Sequence, residues 1–199
     1  MNHMSQAIDE GDPEQAINGF ISVAQLLEEP RFARLYTYIL REGEVTIDDI
    51  VEELGMPRTT AYSDAGTLAD LGVLTRNTEQ KTHTFTAIPI VLSANLDGDT
   101  YTITPTFIEA VGRAPTDLDL NLLLDRHGIG KLAAALTYAI PFVEGKMSER
   151  LAARELDLQP AFGIAVLHAL RDVILEMKAH DSHFDQIRTA VHVPPTEEA

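Results

Sequence analysis

The sequence predicts a mainly α-helical protein with a small β component, and three observations carry that prediction. Apolar residues recur at three- and four-residue spacing along most of the chain, the signature of helices with one buried face. Two stretches, 74–86 and 88–104, instead mix β-forming and polar residues around turn signals, as short hairpins do. Prolines 13, 30, 57 and 105 and glycines 43, 55 and 112 punctuate the periodic runs, where Pro suits a first helical turn and Gly the position past the last.

Composition sets the outer bounds. A chain of 199 residues forms one or two domains and buries a core without a disulfide or structural metal. Its hydrophobic fraction of 45% is ordinary for a globular protein, so its acidity does not signal disorder. With no cysteine, disulfide frameworks, thiolate metal sites and cysteine nucleophiles are excluded. No apolar run approaches the roughly 18 residues of a membrane span, and no basic-then-apolar leader precedes the first helix. The expectation is a cytoplasmic protein with no membrane partner.

The elements follow in order. Pro13 to Glu28 reads as a helix capped by Asp12, with Ile17, Phe20, Ile21, Ala24 and Leu27 at helical spacing. Pro30 to Arg41 is a second helix, with Phe32, Leu35, Ile39 and Leu40 inward, Tyr36 and Tyr38 flanking, and Gly43 ending it. Thr46 is the expected N-cap of a third, because its hydroxyl can accept from a free first-turn N–H while Asp48 and Asp49 suit the positive helix start. Ile47, Ile50, Val51 and Leu54 form its buried face, and Gly55 stops it. Pro57 opens a fourth helix whose apolar stripe, Ala61, Ala65, Leu68 and Leu71, is small at the front and permits a close crossing. Arg58, Thr59, Tyr62 and Ser63 are left on its outer face. A helix that offers donors from its N-terminal end after a short Gly-containing turn suits the DNA major groove.

The run Leu54-Gly55-Met56-Pro57-Arg58-Thr59-Thr60-Ala61-Tyr62, continued by Leu68-Ala69-Asp70-Leu71-Gly72-Val73-Leu74, resembles the helix-turn-helix of prokaryotic winged-helix regulators of the MarR, ArsR and TrmB kind. The resemblance covers about Arg31 to Phe85. It implies DNA binding, with Arg58, Thr59, Thr60, Tyr62 and Ser63 facing the groove. The wing is Leu74-Thr75-Arg76, a turn from Asn77 to Gln80, and Lys81 to Thr86. Arg76, Lys81 and His83 lie among β-formers and suit a hairpin that sets cations along phosphates. An ordinary surface hairpin is the competing reading of those residues.

Past the wing, Ile88 to Leu96 and Thr100 to Thr104 form a hairpin across Asp97-Gly98 that is expected to extend the winged-helix sheet. Thr104-Pro105 opens a helix through Phe107, Ile108, Ala110 and Val111, ended by Gly112. A boundary near Arg113 to Thr116 divides a winged-helix domain, 13–113, from a helical domain, 116–187. In the latter Leu118, Leu120, Leu122, Leu123 and Leu124 are too crowded for one stripe, which suggests burial on most sides or a subunit contact. His127-Gly128-Ile129-Gly130 is a break, and Pro141 kinks or restarts the helix from Lys131 to Val143.

Setting residue n against n+102 without gaps pairs Tyr36 with Tyr138, Glu42-Gly43 with Glu144-Gly145, Glu53-Leu54 with Glu155-Leu156, Leu68 with Leu170 and Asp70 with Asp172. Ser148 takes the capping place of Thr46, and Phe162 to Met177 that of the fourth helix. This reads as a degenerate, wingless second helix-turn-helix. Where the first has Arg58-Thr59-Thr60 and Tyr62-Ser63, the second has Pro160-Ala161-Phe162 and Ile164-Ala165, which offer bases no hydrogen bonds. Burial of that face between two copies of the chain is the economical use for it. Chance similarity of two amphipathic segments is the competing reading.

Charge bears on the partner. The chain has 31 acids against 15 bases, a formal net charge of −16, and only four lysines, 81, 131, 146 and 178. That profile resembles haloarchaeal proteins, and at molar salt a Debye length of about 3 Å removes most long-range repulsion from DNA. Residues 30–87 carry six bases and nine acids, so the candidate DNA module is the least acidic part. A basic face, the usual footprint of a DNA binder, is absent. No Gly-rich phosphate loop, Gly-x-Ser-x-Gly or His-Glu-x-x-His is present, so nothing supports an enzyme or a cofactor. His180, His183 and Asp185 fall at metal-ligand spacing, but at a polar helix end before a Pro- and Glu-rich tail that reads as a solvated terminus. Acid pairs such as Asp48-Asp49 and Glu52-Glu53 read as ordinary solvated acids.

The expected function is a site-specific transcriptional regulator that binds double-stranded DNA as a homodimer. Arg58, Tyr62 and Ser63 point toward base edges, Thr59 and Thr60 toward phosphates, and Arg76, Lys81 and His83 lie along the backbone. Two other readings stand beside it: a winged-helix adaptor that binds proteins, and a ligand-sensing regulator with a pocket in the C-terminal half.

Overall fold

The computed structural model describes residues 13–78, 82–96, 99–182 and 184. Helix α1 (Pro13–Glu28) leads into α2 (Pro30–Glu42), strand β1 (Glu44–Thr46), α3 (Ile47–Leu54) and α4 (Arg58–Asp70). Strands β2 (Leu74–Asn77), β3 (Thr84–Ala87), β4 (Leu92–Leu96) and β5 (Asp99–Ile103) follow, then α5 (Pro105–Arg113), α6 (Leu118–Val143), α7 (Glu149–Glu155) and α8 (Pro160–Met177). The fold is mostly helical with a small antiparallel sheet in the order β1-β3-β2, and α2-β1-α3-α4-β2-β3 is the element order of a winged helix. No single helix among the described residues is long and apolar enough to cross a membrane.

Local chemistry fixes α3 as expected. The Thr46 hydroxyl accepts from the Asp49 N–H at 3.3 Å, and the Asp49 carboxylate accepts from the Thr46 N–H at 2.7 Å, a reciprocal capping box. Those bonds from the Thr46 N–H and hydroxyl hold the Asp49 carboxyl below its ordinary pKa. Its contribution to stability is therefore present above the unfolded value of about 3.9 and is lost as pH falls through the depressed folded value. Thr46→Ala is expected to cost about 1 kcal/mol, and acid titration of the melting temperature should show a smaller drop below pH 4 for this variant than for the parent.

Several expectations are corrected. Strand β1 was not expected: Glu44-Val45-Thr46 is too short to alternate, and only its pairing with β3, Val45 opposite Phe85, makes it a strand. Tyr36 does not flank the core but is fully buried in it. Its hydroxyl donates to the Ile88 carbonyl at 2.9 Å and accepts from the Ile90 N–H at 3.0 Å, and burial pushes the phenol well above its ordinary pKa. That phenol holds 88–91 as an irregular linker, so β4 begins only at Leu92. Strands β4 and β5 then form a separate two-stranded sheet and do not extend the winged-helix sheet. The turn residues Asp97-Gly98 lie outside the described residues, as does Asp12.

Gly112 does not end α5, which runs on to Arg113. A Cβ there would lie 2.8 Å from the Arg34 backbone nitrogen, so glycine is what lets α5 cross α2 in backbone contact. Polar groups tie this junction further. Glu109 of α5, only 5% exposed, accepts from the Thr37 hydroxyl at 2.5 Å and from Arg113 Nε at 2.6 Å. Arg41 lies 3.9 Å from the same carboxylate, and Arg41 and Arg113 both pair with Glu176 of α8. Two guanidiniums and two carboxylates thus alternate around a ring that joins α2, α5 and α8. The polar terminus beyond α8 is not simply solvated either, because Asp181 is buried and its carboxylate accepts from the Thr106 N–H at 3.0 Å and hydroxyl at 2.6 Å, capping α5 where Thr104 makes no side-chain cap. One apolar core, from Leu26 to Phe184, runs through both halves.

The C-terminal half keeps the register set by n+102. Gly128 breaks α6 with φ 76° and ψ 177°, and its second segment stands for α2. Gly43 at φ 89° answers to Gly145 at φ 72°, and Gly55 at φ 64° to Asp157 at φ 48°, so the left-handed turns recur at the same two places. Ser148 accepts from the Leu151 N–H as the N-cap of α7, the position Thr46 holds on α3. Gly163 packs on Ala153 where α8 crosses α7, as Ala61 is buried in α4. No strands follow α8 among the described residues. Leu120 and Leu123 are buried as the Leu-rich run suggests, but Leu118 is 79% exposed.

Candidate nucleic-acid interface

Helix α4 presents two different faces. Ala61, Ala65 and Leu68 are fully buried, and the small side chains at its front let α3 cross closely. Arg58, Thr59, Tyr62 and Ser63 all lie exposed on the far side, and Tyr62 keeps 46% of its surface open. A phenol that large, left in solvent on an otherwise well-packed helix, offers an apolar ring and a hydroxyl together. Thr60 departs from the expected set: it is half-buried on the flank of the helix, turned away from the four exposed residues. The Thr67 hydroxyl donates to the Ser63 carbonyl at 2.9 Å, within the helix.

Two acids hold arginines at this face. Asp64, buried on the inner side of α4, pairs with Arg31 Nε of α2 at 2.6 Å and fixes α4 against α2. Burial raises its pKa, and the neighbouring Arg31 opposes that rise. Asp48, in the first turn of α3, is exposed as expected of a solvated acid, but it also pairs with Arg58 at the start of α4. Periodicity gave no hint of this contact, since it depends on the angle at which two helices meet across the turn 55–57.

On the wing, Arg76 of β2 is exposed and lies opposite Phe85 of β3, with its guanidinium over the ring at 6.0 Å. Its Nη2 is 2.6 Å from His83 Nδ1. Arg76 and His83 are thus brought together at one end of the hairpin, while Lys81 lies outside the described residues. Thr84, at the loop end of β3, donates to Glu44 of β1 and ties the hairpin to the body of the fold.

The equivalent face of α8 is of another kind. Pro160 and Ala161 are exposed and Phe162, Ile164 and Ala165 half-buried, so the positions matching Arg58 to Ser63 carry no side-chain donor at all. Leu175, further along α8, is 55% exposed. Helix α1 is apolar on both sides: Val23 and Leu26 pack inward and Leu27 is half-buried against the core, while Phe20 and Ile21 of the expected stripe remain 50% and 49% exposed. Among the described residues no group of three or more His, Asp or Glu side chains could hold a metal ion.

Two stretches of the chain match models of known families. Residues 32–91 match the model of the sugar-specific transcriptional regulator TrmB, and residues 114–179 match a family of unknown function, DUF7437. No curated protein and no solved structure matches the chain. The first match coincides with α2 through the linker after β3 and supports a DNA-binding transcriptional regulator.

Proposed function

We propose that the chain is a site-specific regulator that binds double-stranded DNA as a homodimer through its winged helix. The observation that carries this reading is the outer face of α4, where Arg58, Thr59, Tyr62 and Ser63 stand free of the core at the front of the helix. In the major groove, Arg58 is suited to the O6/N7 edge of a guanine, Tyr62 and Ser63 to neighbouring base edges, and Thr59 to a phosphate. Thr60, on the flank, is left for a phosphate at the groove wall. Arg76, His83 and Lys81 of the wing serve the backbone. The acidic remainder of the chain suits a high-salt cell, where screening removes the long-range penalty.

The homodimer reading rests on the donor-free front of α8, where Ala161 is exposed and Ile164 and Ala165 are half-buried ahead of the exposed polar residues His168, Arg171 and Asp172, with Phe20 and Ile21 of α1 as a second apolar surface. Two modules spaced by one helical turn, about 34 Å, read a palindrome. Selection of bound sequences from random duplex DNA tests this reading. A palindromic site should emerge, and Arg58→Ala should weaken binding to it by about 1 to 3 kcal/mol. Recovery of no enriched sequence, or equal binding by that variant, overturns it. Binding measured against salt should fall on a log-log line whose slope reports the phosphates neutralised.

A further inference from the structure

The Arg58–Asp48 pair joins the first residue of α4 to the first turn of α3, and its two side chains are 56% and 67% exposed. At that exposure an ion pair adds little to stability, so its consequence lies in where it leaves the guanidinium. Arginine carries five N–H donors in a planar fork. Asp48 contacts one nitrogen, Nη2, and the rest of the fork stays available. The carboxylate stands in the first turn of α3, next to the Asp49 capping box, where the helix N-terminus favours a negative charge. The guanidinium is thereby biased toward α3 before it meets a ligand.

Resting on the DNA-binding reading above, we propose that Asp48 is a positioning residue that makes Arg58 a base reader instead of a phosphate ligand. Electrostatics favours this role as well as geometry. A lone guanidinium at a helix N-terminus is drawn to the nearest phosphate, which carries full charge and no sequence information. With a carboxylate against it, the pair is close to neutral and its attraction to phosphate is largely cancelled. Its remaining donors still match the paired acceptors of a guanine edge. Asp48 also repels any phosphate that approaches, so a misplaced register is disfavoured. A carboxylate that merely competed with DNA for Arg58 would lower specific and non-specific binding alike.

The test uses the full chain and its selected duplex, the same duplex with the Arg58-proximal base pair changed, and random-sequence duplex. Asp48→Ala is expected to bind random duplex more tightly and with a steeper salt slope, while its preference for the selected site falls about five- to tenfold. Asp48→Asn should fall between, and an unchanged melting temperature for it excludes a folding defect. Equal tightening on all three duplexes, or an unchanged preference, overturns the positioning role while DNA binding stands. A parent chain that prefers no duplex overturns both.

Discussion

Replacing Ala165 of α8 by arginine is expected to give a folded monomer that binds a palindromic site at least a hundredfold more weakly than the parent. Ala165 occupies the place that Ser63 holds on α4, on a face of α8 that is half-buried within the chain. An arginine there points its charge outward, so the fold itself is not asked to bury it. In an isologous dimer the same patch meets itself, and two guanidiniums would face each other across the two-fold axis. The loss on DNA follows from valency, because two linked modules gain roughly 10² to 10⁴ over one through effective concentration. Light scattering on the eluting peak reads the mass, and a titration of the selected duplex reads the affinity. Phe20→Glu combined with Ile21→Glu is the matching probe of α1. If that pair gives monomers while Ala165→Arg stays dimeric, the α8 seat is wrong and α1 holds the copies together. If both remain dimeric, neither apolar face is the interface.

Much of the winged helix was legible in the sequence because its signals are local. Thr46 with Asp49 three residues on, Gly55, Pro57 and the spacing of Ala61, Ala65 and Leu68 each act within one or two turns, and each does in the structure what its chemistry implies. The repeat was also legible, since caps and left-handed turns recur at n+102. What escaped depends on long-range partners. Tyr36 looks amphipathic on paper, and only the bend at 88–90 gives its hydroxyl two backbone partners and a place in the core. Strand β1 exists through β3, forty residues away. Gly112 resembles a helix stop until α2 is seen pressed against it. At the interface, the exposed set on α4 was legible except for Thr60, whose angle on the helix puts it at the flank. Asp48 was missed because its pairing with Arg58 crosses a turn whose geometry no periodicity encodes.

Glu109→Ala is expected to be the most destabilising of the substitutions considered, at about 3 kcal/mol. The carboxylate is the inner member of the ring of Arg41, Arg113 and Glu176, and its loss leaves the Arg113 Nε–H without the acceptor it now has, while the Thr37 hydroxyl turns to the Ala33 carbonyl at 2.9 Å. Arg41 and Arg113 are 23% and 26% exposed, so water can relieve only part of the penalty, and Glu176 retains both by their outer nitrogens. For a chain of this size such a loss lowers the melting temperature by roughly 6 to 12 °C. Glu109→Gln keeps the shape and an acceptor for Thr37 and should cost about half as much. The decisive comparison is the double variant Glu109→Met with Arg113→Met. If the ring is a desolvated ionic network, removing both partners should be milder than removing the carboxylate alone, because no charge is then left unpaired. If the double variant costs the sum of the two single ones, the groups do not interact. The junction would then rest on the direct Arg41–Glu176 pair between α2 and α8 and on apolar packing, with no contribution from the Glu109–Arg113 contact within α5.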